Sequence, residues 1–307
     1  MYDLIIIGAG PAGLTAGIYA GRFRLDSVIF EKMSAGGQII LSYSIENYPG
    51  FPGGISTFEL IDKFKAQVDE LGVKIENKEI TQIKEISESG RTAYELHAQE
   101  EIYKTRSVII ATGAESKRLG IPGEDRLIGR GVSYCATCDG PLFKNKEVVV
   151  IGGGDKAVEE ALFLTSYAQG VSIIHRRSEL RASKILVEKA KENPKIKFIL
   201  DSVVEEVCGE KKVDAVKIRN VKTDSKADIA CQGVFIFVGI TPNTSFLKNF
   251  LEFDEQGFII TGSDLRTKKE GIFAAGDCRS KSLYQVISAC GEGATAADSA
   301  HKYLLKL

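Results

Sequence analysis

Apolar residues are distributed along this chain in continuous runs more often than in alternation. The first run, DLIIIG (3–8), leads into a stretch of small and apolar residues, GPAGLTAGIYAG, and then into a second run, SVIFE (27–31). Strands buried on both faces read this way in a parallel sheet, so the pattern predicts β-α-β. It recurs at EVVVIGGGDKAVEEALFLTSYAQGVSIIH (147–175). Further buried strands are predicted at 107–111, 233–237 and 271–275, the first two closing on Gly113 and Gly239 with prolines 122 and 242 beyond. Phe58, Ile61, Phe64, Val68 and Leu71 fall at helical spacing, which predicts an amphipathic helix with its aromatics in the core. A last helix, rich in Gly and Ala near its start, is predicted over 285–305.

Glycine placement turns these patterns into nucleotide sites. Gly8, Gly10 and Gly13 lie between the first strand and helix. The first permits a tight turn, the second lets backbone approach a pyrophosphate, and the third lets helix pack on strand. The helix N-terminus adds unpaired N–H groups and a positive dipole. Glu31, ending the second strand, offers acceptors to ribose hydroxyls. In the second copy Gly152, Gly154 and Ala157 take the glycine positions. Gly8 to Glu31 and Gly152 to His175 both span 23 residues, so the two strand ends are equivalent. Their chemistry is opposite: HRRSELR brings Arg176, Arg177 and Arg181 where the first copy has an acid. A carboxylate suits a free 2′-hydroxyl and guanidinium forks suit a 2′-phosphate, so FAD or NAD is expected at the first site and NADPH at the second.

The fold class expected is α/β, with two Rossmann-like dinucleotide-binding domains. The FAD-binding domain is discontinuous, 1–116 and 243–307, and the NADPH-binding domain, 117–242, is inserted into it; the two crossings would form a hinge. Gly276-Asp277 closes the 271–275 strand, where ligands meet an open parallel sheet.

Composition excludes more than it selects. The 307 residues are 44% hydrophobic and 26% charged, with a net charge of −1, an ordinary globular balance. There is no basic footprint for nucleic acid and no apolar run long enough for a membrane span. The N-terminus lacks the cationic start of a secretory signal, so a cytoplasmic location is expected. The six cysteines are not those of a secreted disulfide scaffold.

Two of them, Cys135 and Cys138, form a C-x-x-C that opens the inserted domain. A zinc site would need two further ligands, and no spacing supplies them. Two buried inert thiols remain the plain alternative. On a chain with flavin and NADPH sites the pair suits a redox disulfide, and Asp139 beside it a general acid or base. Cys208, Cys231, Cys278 and Cys290 are expected to be small buried residues.

GAGPAG, GGQ (36–38), ENYPGFPGG (46–54), ATGA (111–114), SYCATCDG (133–140), GGGDKAVEEA, HRRSELRAS, VGITPNT (238–244) and GIFAAGDC (271–278) follow in order the motifs of low-molecular-weight thioredoxin reductases. The resemblance covers nearly the whole chain. It implies homodimers carrying electrons from NADPH through FAD and the C-x-x-C to thioredoxin, with the inserted domain rotating between two states. By position it implies Cys138 on the flavin side, Cys135 as the sulfur exchanging with substrate, and Asp139 as the acid. For FAD it implies Gly8, Gly10, Pro11, Ala12, Gly13 and Glu31; then Gly37, Gln38, Asn47, Ala111, Thr112 and Gly113; and finally Gly276, Asp277, Gln285 and Val286. For NADPH it implies Gly152, Gly154, Asp155, Lys156, Ala157, His175 and the three arginines, with Gly239 and Ile240. Lys156 departs from the usual Ser or Thr of the second glycine loop. Tyr284 stands where many members carry Arg, which removes a cation beside the flavin. The alternative is a related flavoprotein reductase serving a glutaredoxin-like or peroxiredoxin system, or using another reductant.

Overall fold

The computed structural model describes all residues except Ser42, Tyr43, Glu46 and Ser89; Glu46, first residue of the ENYPGFPGG motif, therefore lies outside the described residues. The helices among them are α1 (Pro11–Arg22), α2 (Thr57–Glu70), α3 (Ala136–Asp139), α4 (Asp155–Leu164), α5 (Lys184–Glu192) and α6 (Val286–Leu304). The chain divides into two compact units: 1–40, 48–115 and 241–307 form one, and 41–47 with 116–240 the other.

In the first unit the parallel strands lie in the order Lys74–Asn77, Ser27–Glu31, Tyr2–Ile7, Glu101–Ile110 and Ile272–Ala274. The inner stretches 4–7, 28–30 and 108–110 are apolar because helices and loops cover both faces, and Ile5, Ile29 and Ile109 are fully buried. The 107–111 run is the end of a longer strand. Its first half, from Glu101, pairs antiparallel with Arg91–Ala98, which in turn pairs with Gln82–Glu88. One face of that extension is polar, so no continuous apolar run marks it.

Helix α2 forms as its periodicity predicts, with one correction. It buries Thr57, Leu60, Ile61, Phe64 and Val68, while Phe58 is 63% exposed. The buried stripe starts at Thr57, and the 100° step to the next residue turns Phe58 away from it.

The second unit has an all-parallel sheet, ordered Val132–Ser133, Gly233–Phe237, Glu147–Gly152, Gly170–Ile174 and Ile196–Ile199. A separate antiparallel sheet of Ser202–Cys208, Ala215–Asn220 and Lys226–Ala230 completes it. Both units are thus Rossmann-like, and one is inserted into the other, as the repeated strand–glycine–helix pattern predicts. The two crossings, Ala114–Ser116 and Ile240–Pro242, pair with each other as short strands.

Candidate active site

Parallel strands carry all their C-terminal ends to one edge, which is why residues far apart in sequence meet there. In the first unit Gly8 N donates to Phe30 O at 2.7 Å, Ala111 N to Ile7 O at 2.8 Å and Ala275 N to Ile110 O at 2.9 Å. These bonds line up the glycine turn, the Ala111-Thr112-Gly113 turn and Gly276-Asp277. Gly8 has φ +105°, and a Cβ there or at Gly13 would collide with backbone oxygen, of Ala111 and of Gly8 respectively. Gly10 is different: the nearest atom to an added Cβ is Gly37 Cα, 3.9 Å away. The space above Gly10 is therefore open to a ligand. Gly36 N donates to Ala9 O at 2.9 Å, so the GGQ motif packs onto the same turn.

Helix α1 begins with Pro11 after Gly10 and has no side-chain cap. Its first N–H groups are left for a phosphate. Glu31 Oε2 accepts from Ala9 N at 2.7 Å and Oε1 from Met33 N at 3.0 Å. Those bonds aim the carboxylate at the turn, and each oxygen keeps a lone pair for a ribose hydroxyl. Gln38 lies exposed in the 3₁₀ turn Gly37–Leu41, and Gln285 caps α6 just before Val286 through a capping box with Ser288. Asn47 lies in the segment 41–47, which clusters with the other unit.

The second unit repeats the arrangement. Gly152 has φ +154°, and its missing Cβ leaves room for the Ala157 methyl. Nothing lies within 4 Å of a Cβ built on Gly154, and α4 too lacks a side-chain cap. Arg181 N donates to Gly153 O at 2.6 Å, Ala182 N to the same oxygen at 3.1 Å, and Ser183 N to Asp155 Oδ1 at 2.6 Å. The HRRSELRAS loop is thereby pinned onto the glycine turn. Arg176, Arg177 and Arg181 are exposed and form no ion pair with a described residue. An anion is what three such forks lack. His175, by contrast, is only 6% exposed. Its ring lies over Gly153, where any Cβ would strike it. Burial, then Arg181, Arg177 and Arg176, holds its pKa below the ordinary value. Lys156 Nζ lies 5.9 Å over the Phe237 ring, and Gly239 (φ +127°) leads to Ile240, half-buried at the crossing.

Cys135 and Cys138 form a disulfide with Cα atoms 5.3 Å apart. It follows the edge strand Val132–Ser133, so it sits at the same sheet edge as Gly152, His175 and Gly239. Cys138 N donates to Cys135 Sγ at 3.2 Å, and Thr137 Oγ1 lies 3.3 Å from that sulfur. Asp139, last residue of α3, accepts a 2.6 Å bond on Oδ2 from Ser133 Oγ. Burial pushes its carboxyl above the usual range, and the Ser133 bond offsets part of that. The other cysteines are poor rivals as nucleophiles. Cys231, Cys278 and Cys290 are buried and Cys208 half-buried. Burial pushes the thiols of Cys231 and Cys278 up to about 12 and about 11.

The profile of the pyridine nucleotide-disulphide oxidoreductases matches residues 2–293. Over 308 residues the chain is 44% identical to thioredoxin reductase of Listeria monocytogenes serovar 1/2a, covering 100% of this chain and 95% of that one. Thioredoxin reductase of Treponema pallidum is 46% identical over 303 residues, covering 99% and 97%. The structure of thioredoxin reductase from Streptococcus pyogenes superimposes with a TM-score of 0.92 at 44% identity, covering 100% of this chain and 99% of that one. The chain belongs to the thioredoxin reductases of this family.

Thioredoxin reductases of this family use FAD and NADPH, and the two open glycine turns, uncapped helices and opposite strand-end charges fit them. The structure adds residues to the thioredoxin reductase motifs. Asn243 Nδ2 donates to Thr112 O at 3.1 Å and its N to Gly113 O at 3.0 Å, clamping that turn. Glu292 accepts from Gly276 N at 2.7 Å and pairs with Arg279 at 3.0 Å. Lys281, with a side chain only 5% exposed, reaches Asp277 at 2.8 Å and lies 5.3 Å from the Tyr284 ring centre. A buried cation therefore sits against Tyr284. The one hint in the sequence is the density of charge in DCRSKSLYQ; the pairings depend on how α6 folds back.

Proposed function

We propose that this protein reduces the disulfide of a thioredoxin with electrons from NADPH. The observation that carries the reading is the Cys135–Cys138 disulfide at the same sheet edge as a glycine turn flanked by three arginines that pair with no described residue.

Gly8, Gly10, Gly13 and Glu31, with Ala111 to Gly113, Asp277 and the start of α6, hold FAD in the domain 1–116 and 243–307. Gly152, Gly154 and Ala157 with the arginines hold NADPH in the domain 117–242, and His175 shapes the turn beneath it. FAD, when bound, supplies the carrier that accepts a hydride from NADPH and yields an electron pair to a disulfide. The Cys135–Cys138 bond opens on receiving that pair, and Asp139 supplies a proton at a departing sulfur. Cys135 then attacks the thioredoxin disulfide; a mixed disulfide forms, Cys138 displaces it, and thioredoxin leaves with two electrons and two protons. A homodimer acting in the cytoplasm completes the proposal, on resemblance alone.

Anaerobic titration with NADPH tests it. Wild type takes up two electron pairs, one for flavin and one for the disulfide, and Cys138→Ser takes up one. A single pair in wild type refutes the reading.

A further inference from the structure

We infer that Ser133 is a positioning residue whose hydroxyl aims the Asp139 carboxyl and sets its affinity for a proton. The inference rests on the reading of Asp139 as the acid of the disulfide step, and it concerns the group that controls that acid.

Ser133 ends the edge strand Val132–Ser133 and is 5% exposed. Its Oγ lies 2.6 Å from Asp139 Oδ2, receives the Cys135 N–H at 3.1 Å, and lies 3.2 Å from Cys135 O. A hydroxyl has one proton to donate, and the nearer, charge-bearing oxygen of Asp139 holds it best. Asp139 N donates in turn to Cys135 O at 3.1 Å, closing a small ring around the disulfide loop. One side chain thus ties the backbone of one redox cysteine to the carboxyl that follows the other.

Among the described residues no charged side chain competes for that carboxyl. The other groups at α3 are Cys138 and the N-cap Cys135, joined in the disulfide. The adjoining 3₁₀ turn Gly140–Phe143 has no titratable residue, and the half-buried Tyr134 turns its hydroxyl to Glu124 at 2.7 Å. Helix α4 and the short strand Ser44–Ile45 pack against α3; of their residues Asp155, Lys156, Glu159 and Glu160 are charged, and none acts on Asp139, whose carboxyl among the described residues answers to burial and to the Ser133 bond. The bond favours the ionised form, so removing it must raise the proton affinity further.

The test uses the full-length, FAD-loaded protein. The carboxylic C=O stretch of Asp139, isolated as the infrared difference from Asp139→Asn, is titrated against pH, alongside the pH profile of thioredoxin reduction. In Ser133→Ala the midpoint should rise by on the order of one pH unit, the size of one lost bond to a charged group. The alkaline limb of the rate should move with it, and Ser133→Thr should restore both. Ser133→Cys keeps the volume and donates weakly; it should shift the midpoint in the same direction by less, and answers the question should the alanine variant not fold. An unmoved midpoint overturns the inference, as does an equal shift in Ser133→Thr. A midpoint that moves while the rate profile stays put upholds Ser133 as the controlling group and refutes Asp139 as the acid.

Discussion

Asp139 is half-buried with no cation among the described residues to balance its charge, so folding at neutral pH carries the cost of an ionised carboxylate in poor solvent. Its folded pKa is raised, so the stability linked to it is fully present below the unfolded value and is lost as pH rises through the folded one. Asp139→Asn removes the ionisation. Thermal melts at pH 7 should place the variant above wild type, and the two should converge in acid, while turnover falls by on the order of 10²–10⁴. His175 has the opposite sign. Its folded pKa is depressed, so its contribution is present above the ordinary value, about 6.5, and is lost as pH falls through the folded one. His175→Gln should flatten the acid side of the stability curve below about pH 6.5, as read by denaturant midpoints. The arginines act on affinity. Arg177→Ala should weaken NADPH by about ten- to a hundredfold, the worth of one charge-assisted bond, and leave NADH unchanged. Steady-state KM values for the two nucleotides check this.

At the scale of elements, the flavin unit depends on helices that approach too closely for side chains. A Cβ on Gly293 of α6 would run into Ala12 O of α1, and one on Gly276 would sit 2.9 Å from the Ala12 methyl. Gly293→Ala must push α6 away from the turn after Ile7. We expect a loss of about 1–3 kcal/mol from overpacking, together with weaker FAD retention; urea midpoints and flavin released on gel filtration check both. In the NADPH unit the corresponding close approach is that of a ring: His175 lies on Gly153, and the arginine loop hangs from Gly153 O. The turn, the strand end and the basic loop are therefore tied to one another.

At the scale of the whole chain, the insertion means that one nucleotide domain is completed only after the other has been traversed. The first domain's sheet lacks Ile272–Ala274 and α6 until residues beyond 242 are in place. FAD binds this assembled form and not the unfolded chain, so it stabilises by mass action. Removing FAD from protein kept at a hundredfold excess over Kd should cost about 2.7 kcal/mol, roughly 5–11 °C in Tm for a domain of this size. Scanning calorimetry of holo- and apoprotein measures it, and equal melting would show that flavin contributes nothing to this unit.

Much of this was legible from runs of residues. Val, Ile and Leu in unbroken stretches can only be strands covered on both faces. Glycines at fixed offsets mark where backbone must pass close, and acid against arginine at equal distances separates the two nucleotides. These are local constraints, written within about thirty residues and satisfied by steric and electrostatic rules that need no partner. Tertiary structure alone decided what depends on contact between distant segments. It put Phe58 outside the core, His175 against Gly153, and Lys281 between Asp277 and Tyr284. It also hung the Asp139 carboxyl on Ser133, because a hydrogen bond between neighbouring turns depends on how the edge strand delivers its last side chain, and no periodicity records that angle.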